Sequence, residues 1–243
     1  QKPYIDVRFR YENVNQAGMA KDADATTVRT RIGFATNEKL MFSARLEGER
    51  TDHLGYERFN STTNGRTPYP VVVDPDETEI NRLYLQFKGI PKTNVKWGRQ
   101  RIDLDNVRFV GRVPFRQNEQ TFDALTVRNQ TLAEAKLFYG YIWNVNRVFG
   151  DGSLVGNFRT NAHLFNASYH GISFVKPAAY GYLVEFTSLA RRDSSTATYG
   201  LRLPGKTPIN ETWKILYTAE YANQQDWADS TVENDHNYYL AEF

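Results

Sequence analysis

The chain has no cysteine among its 243 residues, which excludes a disulfide framework, a thiol nucleophile and thiolate metal sites. It has no run of about 18 apolar residues, so the sequence offers no membrane-crossing helix. G-x-S-x-G, P-loop and H-E-x-x-H motifs are missing as well. No catalytic residue, cofactor or metal site is therefore expected, and the chain reads as a non-enzyme. A net charge of only +2 supplies no basic stripe for nucleic acid, and no such partner is expected. No signal peptide precedes the first strand; in an exported protein Gln1 would lie at or beyond the processing point.

Aromatic side chains, at 14% against 40% hydrophobic residues in all, carry an unusual share of the apolar surface, and their placement is regular. In residues 4–12, Ile5, Val7, Phe9 and Tyr11 alternate without exception with Asp6, Arg8, Arg10 and Glu12. A period of two marks a β-strand with two unlike faces. In a soluble sandwich the charged face meets water; in a membrane barrel the apolar face meets lipid and the arginines line a lumen.

The same alternation returns along the whole chain. Val28 to Phe34 interleave with Arg29 and Arg31, and Leu40 to Leu46 with Arg45 and Glu47. Leu83, Leu85 and Phe87 oppose Gln86 and Lys88; Tyr139, Tyr141 and Trp143 oppose Lys136 and Phe138. Tyr180 to Phe186, Tyr199 to Leu203 and Trp213 to Tyr221 follow, with weaker runs at 94–102, 121–129, 161–169 and 237–243. That makes about twelve strands of bilayer-crossing length.

Short links near 36–39, 90–93, 129–131, 170–173 and 204–210 alternate with longer polar loops at 14–24, 51–78, 103–119, 144–160, 187–195 and 222–236. Short turns at one end and long loops at the other suit an outer-membrane barrel, and Tyr139, Tyr141, Trp143, Tyr217 and Tyr221 fall where interfacial girdles lie. The expected fold is all-β: a transmembrane, antiparallel, up-and-down β-barrel in the bacterial outer membrane, one domain over 1–243, with its arginines facing inward.

The stretch "WGRQRIDLDNVRFVGRVPFRQNEQTFDA" (97–124) places Gly98, Arg99 and Gln100 before a loop, then Arg116, Gln117 and Asn118, then Thr121, Phe122, Asp123 and Ala124. It resembles the signature of the alginate-export family of outer-membrane porins, and residues 166–186 are similar to a later hairpin of that family. The resemblance implies a barrel of about eighteen strands. On that reading the chain lacks the C-terminal third, the alternative being a closed twelve-strand barrel ending at Phe243. It also implies anionic solutes, uronate oligosaccharides or organic acids.

Candidate pore-lining residues are Arg8, Arg10, Arg29, Arg31, Arg45, Lys88, Arg99, Arg101, Arg128, Lys136, Arg202 and Lys214. Arg8, Arg10, Arg29, Arg31 and Arg45 are expected at one height, as a ladder of planar donors for anions. Asp6, Glu12, Glu47 and Glu49 would partly neutralise it, and salt bridges within the wall are the competing use. Loop 103–119, with Arg108, Arg112, Phe115 and Arg116, is either a constriction folded into the lumen or an extracellular cap. Trp97 and Arg99 share a parity, so one of them must break the pattern.

Other features have plainer readings. His170 and Ser173 would make a base and nucleophile only if they left a tight turn. "DLD" (103–105) and "DPDE" (74–77) are solvated acids or Ca²⁺ ligands. The leading function is passive, anion-selective diffusion; the alternative is a plugged structural or binding barrel. The bilayer is the expected partner, and oligomeric state is not legible.

Overall fold

The structure is a computed structural model that describes residues 2–243; Gln1, expected at or beyond a processing point in an exported protein, lies outside the described residues. Twelve strands follow one another in a single sheet whose spatial order is the chain order. They are β1 (Lys2–Val14), β2 (Ala23–Ala35), β3 (Phe42–His53), β4 (Glu77–Phe87), β5 (Thr93–Gln100), β6 (Thr121–Asn129), β7 (Ala135–Asn146), β8 (Asn157–Tyr169), β9 (Ala178–Phe186), β10 (Thr196–Pro208), β11 (Lys214–Asp226) and β12 (Asp235–Glu242). Neighbours pair antiparallel, as between β1 and β2 or β11 and β12. Apart from a single 3₁₀ turn at Arg192–Ser194, no helix interrupts them among the described residues.

Several strands outrun the sequence expectation. β3 continues to His53, β7 to Asn146, β10 to Pro208 and β11 to Asp226. Near these ends both faces carry polar side chains, so the hydropathy contrast fades while the backbone ladder continues.

The residues form two compact units. The first takes the chain through Gln86 with Trp97–Ala124 and Asn144–Phe158; the second takes Phe87–Lys96, Leu125–Trp143 and Arg159–Phe243. In the first unit the burial pattern is inverted relative to a soluble protein. Ile5, Val7, Phe9 and Tyr11 are exposed by 59–67%, whereas Arg29 and Arg31 are only 6–7% exposed and Glu47 is fully buried. Charged groups are costly to bury unless paired, so the buried face must carry its own counter-charges and a cover. Loop 101–120 is that cover. Loop 54–76, expected as a polar loop, is also ordered: Phe59 and Val72 pack on Ala23 and Ala25, and Asp24 N–H donates to Arg58 O over 2.9 Å.

In the second unit Leu137, Phe165, Tyr199, Leu201, Tyr221 and Tyr239 are exposed. One expectation is corrected here. Tyr180 and Tyr182, read as part of the outward apolar face, are buried and stacked with ring centroids 4.8 Å apart. The Tyr180 hydroxyl donates to Glu220 over 2.7 Å. Tyr180 faces Gly200 across the β9–β10 ladder, where an added Cβ would lie 2.2 Å from its ring. β9 is apolar on both faces, so hydropathy leaves its orientation open and the phenol's need for an acceptor decides it.

Candidate functional site

Strand register places the arginines. Arg8 lies directly opposite Arg29, and Asp6 opposite Arg31, across β1–β2. On β2–β3 Arg31 meets Glu49, Gly33 meets Glu47 and Ala35 meets Arg45. Arg45 therefore sits at the turn end of its hairpin, about 20 Å along the strand from the level of Arg29 at 3.3 Å per residue. The expected common height fails for this residue. β3 is longer than its hydropathy suggested, so its middle is Glu47 to Glu49. Arg45 instead rests over the Tyr4 ring, 5.5 Å from its centroid.

The buried face is a network of ion pairs. Arg29 pairs with Asp6, and Arg31 with Glu49 and, over 3.3 Å, Glu119. Glu47 accepts from Tyr4, Arg82 and Asn81, and Glu119 from Asn81 and Arg101. Asn81 and Arg82 are consecutive yet both reach Glu47, which identifies a bulge in β4. Gly98, at φ +118°, makes the corresponding break in β5. An added Cβ there would lie 2.3 Å from the Leu83 carbonyl oxygen. The break resolves the parity conflict: Trp97 is 62% exposed while Arg99 turns to Asp123, 2.8 Å away.

Loop 101–120 folds onto this face. Arg8 donates to the carbonyls of Pro114, Phe115 and Arg116 over 3.0, 2.9 and 3.2 Å. Arg10 donates to Phe115 O and to Glu12 and lies 4.0 Å from the Phe115 ring centroid. Arg116 reaches Glu12 over 3.3 Å. Gln117, fully buried, donates from its side chain to Thr27 Oγ1 over 2.9 Å and from its backbone to Asp74 Oδ1 over 2.8 Å. Arg112 pairs with Asp103 over 2.9 Å; Arg108 is exposed in the outer arm of the loop.

The acids of "DLD" and "DPDE" have structural uses here. Asp103 holds Arg112, Asp76 holds Arg50 over 2.6 Å, and Asp74 holds the loop. Burial pushes the Asp74 carboxyl above the usual carboxylate range, with the Gln117 N–H and the Arg10 and Arg116 guanidiniums opposing it.

In the second unit the candidate residues are dispersed. Arg202 pairs with buried Glu220, and Arg128 stacks 4.6 Å from the Phe138 ring centroid. Lys136 and Lys214 are exposed near strand starts, and Lys88 is exposed just beyond β4. His170 meets Ser168 rather than Ser173, over 3.0 Å. Burial and the nearby Lys136 and Lys176 depress its pKa.

Sequence reading did not single out Tyr4, Arg82, Asp74, Gln117 or Glu119 for the site. The bulge hid Arg82; the others gave no local signal beyond the "RQN" and "DPDE" strings.

No family model and no curated protein matches the chain. Solved structures do match its fold. An Acinetobacter baumannii protein, OccAB2, aligns with a TM-score of 0.75 at 15% identity, over 98% of this chain and 61% of its own. Pseudomonas aeruginosa OpdK with vanillate aligns at 0.71 and 11%, over 98% and 60%. A BenF-like porin from Pseudomonas fluorescens aligns at 0.70 and 13%, over 99% and 62%. The chain thus spans about three-fifths of these structures, and at such identities the likeness is one of fold: that of a porin β-barrel wall. The finer resemblance to the alginate-export family rests on the sequence motifs alone.

Proposed function

We propose that this chain forms part of the wall of an outer-membrane porin, non-enzymatic, that lets small anionic solutes diffuse through a lumen narrowed by loop 101–120. The observation that carries the reading is the inverted burial: apolar side chains outside, paired arginines and carboxylates inside, with the loop clipped to the charged side. Lipid can solvate the outer face, and water the lumen. A barrel of about eighteen strands, one domain overall, agrees with the greater length of the matching porins.

Solute class rests on guanidinium chemistry. Arginine forks match carboxylates bidentately, and OpdK was solved with vanillate, a carboxylate. The motif at 97–124 adds uronate oligosaccharides as a candidate through its resemblance to alginate exporters. A plugged barrel is the competing reading, favoured by the loop's position against the wall.

Planar-bilayer recording of the whole, detergent-extracted protein tests the proposal. Discrete anion-selective conductance is expected. A folded protein that inserts but passes no current would establish the plugged barrel, and a monodisperse protein needing no detergent would end the membrane reading.

A further inference from the structure

Arg8 differs from its neighbours in what it holds. Arg29 pairs with Asp6 and Arg31 with Glu49, and Arg10 pairs with Glu12. Among the described residues Arg8 has no carboxylate within ion-pair distance; its N–H groups end on the carbonyls of Pro114, Phe115 and Arg116. It also faces Arg29 directly across the ladder, and like charges so placed repel. The group is only partly buried, and its bonds to Pro114 and Phe115 lie at the surface.

We propose that Arg8 is an anion-released latch: a carboxylate solute replaces the loop carbonyls on its guanidinium, and segment 113–116 lifts from the wall. The proposal rests on the channel reading and adds regulation to it. Neutral carbonyls are weaker acceptors than a carboxylate, whose bidentate bond to arginine is charge-assisted. The incoming charge also relieves the Arg8–Arg29 repulsion. Arg10 on Phe115 and the Arg116–Glu12 pair are then the segment's remaining ties to the wall, and the movement is confined to the apex, because Gln117 stays bound to Asp74 and Thr27 and Arg112 to Asp103. Val113 precedes the apex at φ +51°, a conformation that a β-branched residue holds only under constraint, so release relaxes the backbone.

The test is single-channel recording of the whole protein at constant ionic strength and pH, with benzoate against neutral benzamide. Benzoate should raise the occupancy of a wider conductance level over the narrow one about tenfold, the ratio expected for exchanging a neutral for a charge-assisted bond. Benzamide should leave the ratio unchanged. R8Q should occupy the wide level without benzoate and ignore it, and R8K, which keeps the charge without the fork, should respond weakly. Heat-modifiable migration on gels would verify that each variant folds. A pore that conducts but shows the same levels in both compounds, one that benzoate only blocks, or an R8Q pore that still responds would overturn the latch while leaving the channel standing. Absence of any conductance would overturn the channel reading itself.

Discussion

The backbone N–H of Gln117 donates to Asp74 Oδ1 over 2.8 Å, joining the two long loops that cover the charged face. Both residues are fully buried. Arg10 Nη1 lies 3.7 Å from the other Asp74 oxygen, and the His53 ring meets the Asp74 carbonyl over 2.7 Å. Gln117 therefore ties the constriction segment to β2 and to loop 54–76 at once.

Docking should depend on pH through Asp74. Its carboxyl is raised by burial, so the docked state binds the proton more tightly than the released one. Docking is then strongest at low pH and weakens as pH rises from the ordinary carboxylate range through the raised value. Undocking should therefore appear as a rise in single-channel conductance as pH climbs past the ordinary carboxylate range. Asp74→Asn keeps the acceptor oxygen and removes the titration, so its pore should show no such slope; an unchanged slope would move the titration elsewhere.

A second expectation concerns the exposed apolar face. Val7→Lys puts a charge at mid-strand, where lipid contact makes it cost about 2–4 kcal/mol. The same change at exposed Tyr56, in loop 54–76, should stay within about 0.5 kcal/mol. Urea-dependent folding into lipid vesicles measures both. A Val7→Lys protein as stable as the unaltered one would mean that this face does not meet lipid.

Removing the outer part of the constriction loop should open the pore. Excising residues 106–115 with a short Gly-Ser bridge deletes the carbonyls of Pro114 and Phe115 that Arg8 holds, and single-channel conductance should rise. Equal conductance in a correctly folded deletion variant would reduce the loop to a cap at the mouth.

How far this arrangement is legible in the sequence depends on the range of the interaction. Alternation in residues 4–12 reveals a strand and its two faces, because side-chain direction is a local property. It also gave the strand order, since each strand pairs with the next. Arg45 was misplaced because height depends on where a hairpin turns, and the polar ends of β3 blur that point. Asn81 and Arg82 could not be read as sharing a face, because a bulge leaves no hydropathy mark. Tyr180 and Tyr182 were misassigned because the neighbouring residues are apolar on either face. Gln117 met Asp74 only through tertiary folding, 43 residues apart in sequence.

Selectivity should follow the arginines that lack a carboxylate, not the whole set. Arg8 and Arg45 have none within ion-pair distance among the described residues, whereas Arg31 is committed to Glu49 and Glu119. Charges in a narrow passage act through low-dielectric walls that focus their field on the solution. We expect anion selectivity under a salt gradient at low salt, where the screening length is about 30 Å, fading at 1 M, where it is about 3 Å. Arg45→Gln should move the reversal potential toward zero with folding intact, since the side chain's partner is the Tyr4 ring. Arg31→Gln should act on stability instead, because it leaves buried Glu49 and Glu119 short of a counter-charge, a loss of about 3–5 kcal/mol. Cation selectivity in the unaltered pore, or an Arg45→Gln pore with the same reversal potential, would remove this residue from the permeation path. An Arg31→Gln protein as stable as the unaltered one would show that the carboxylates it faces find their charge balance elsewhere.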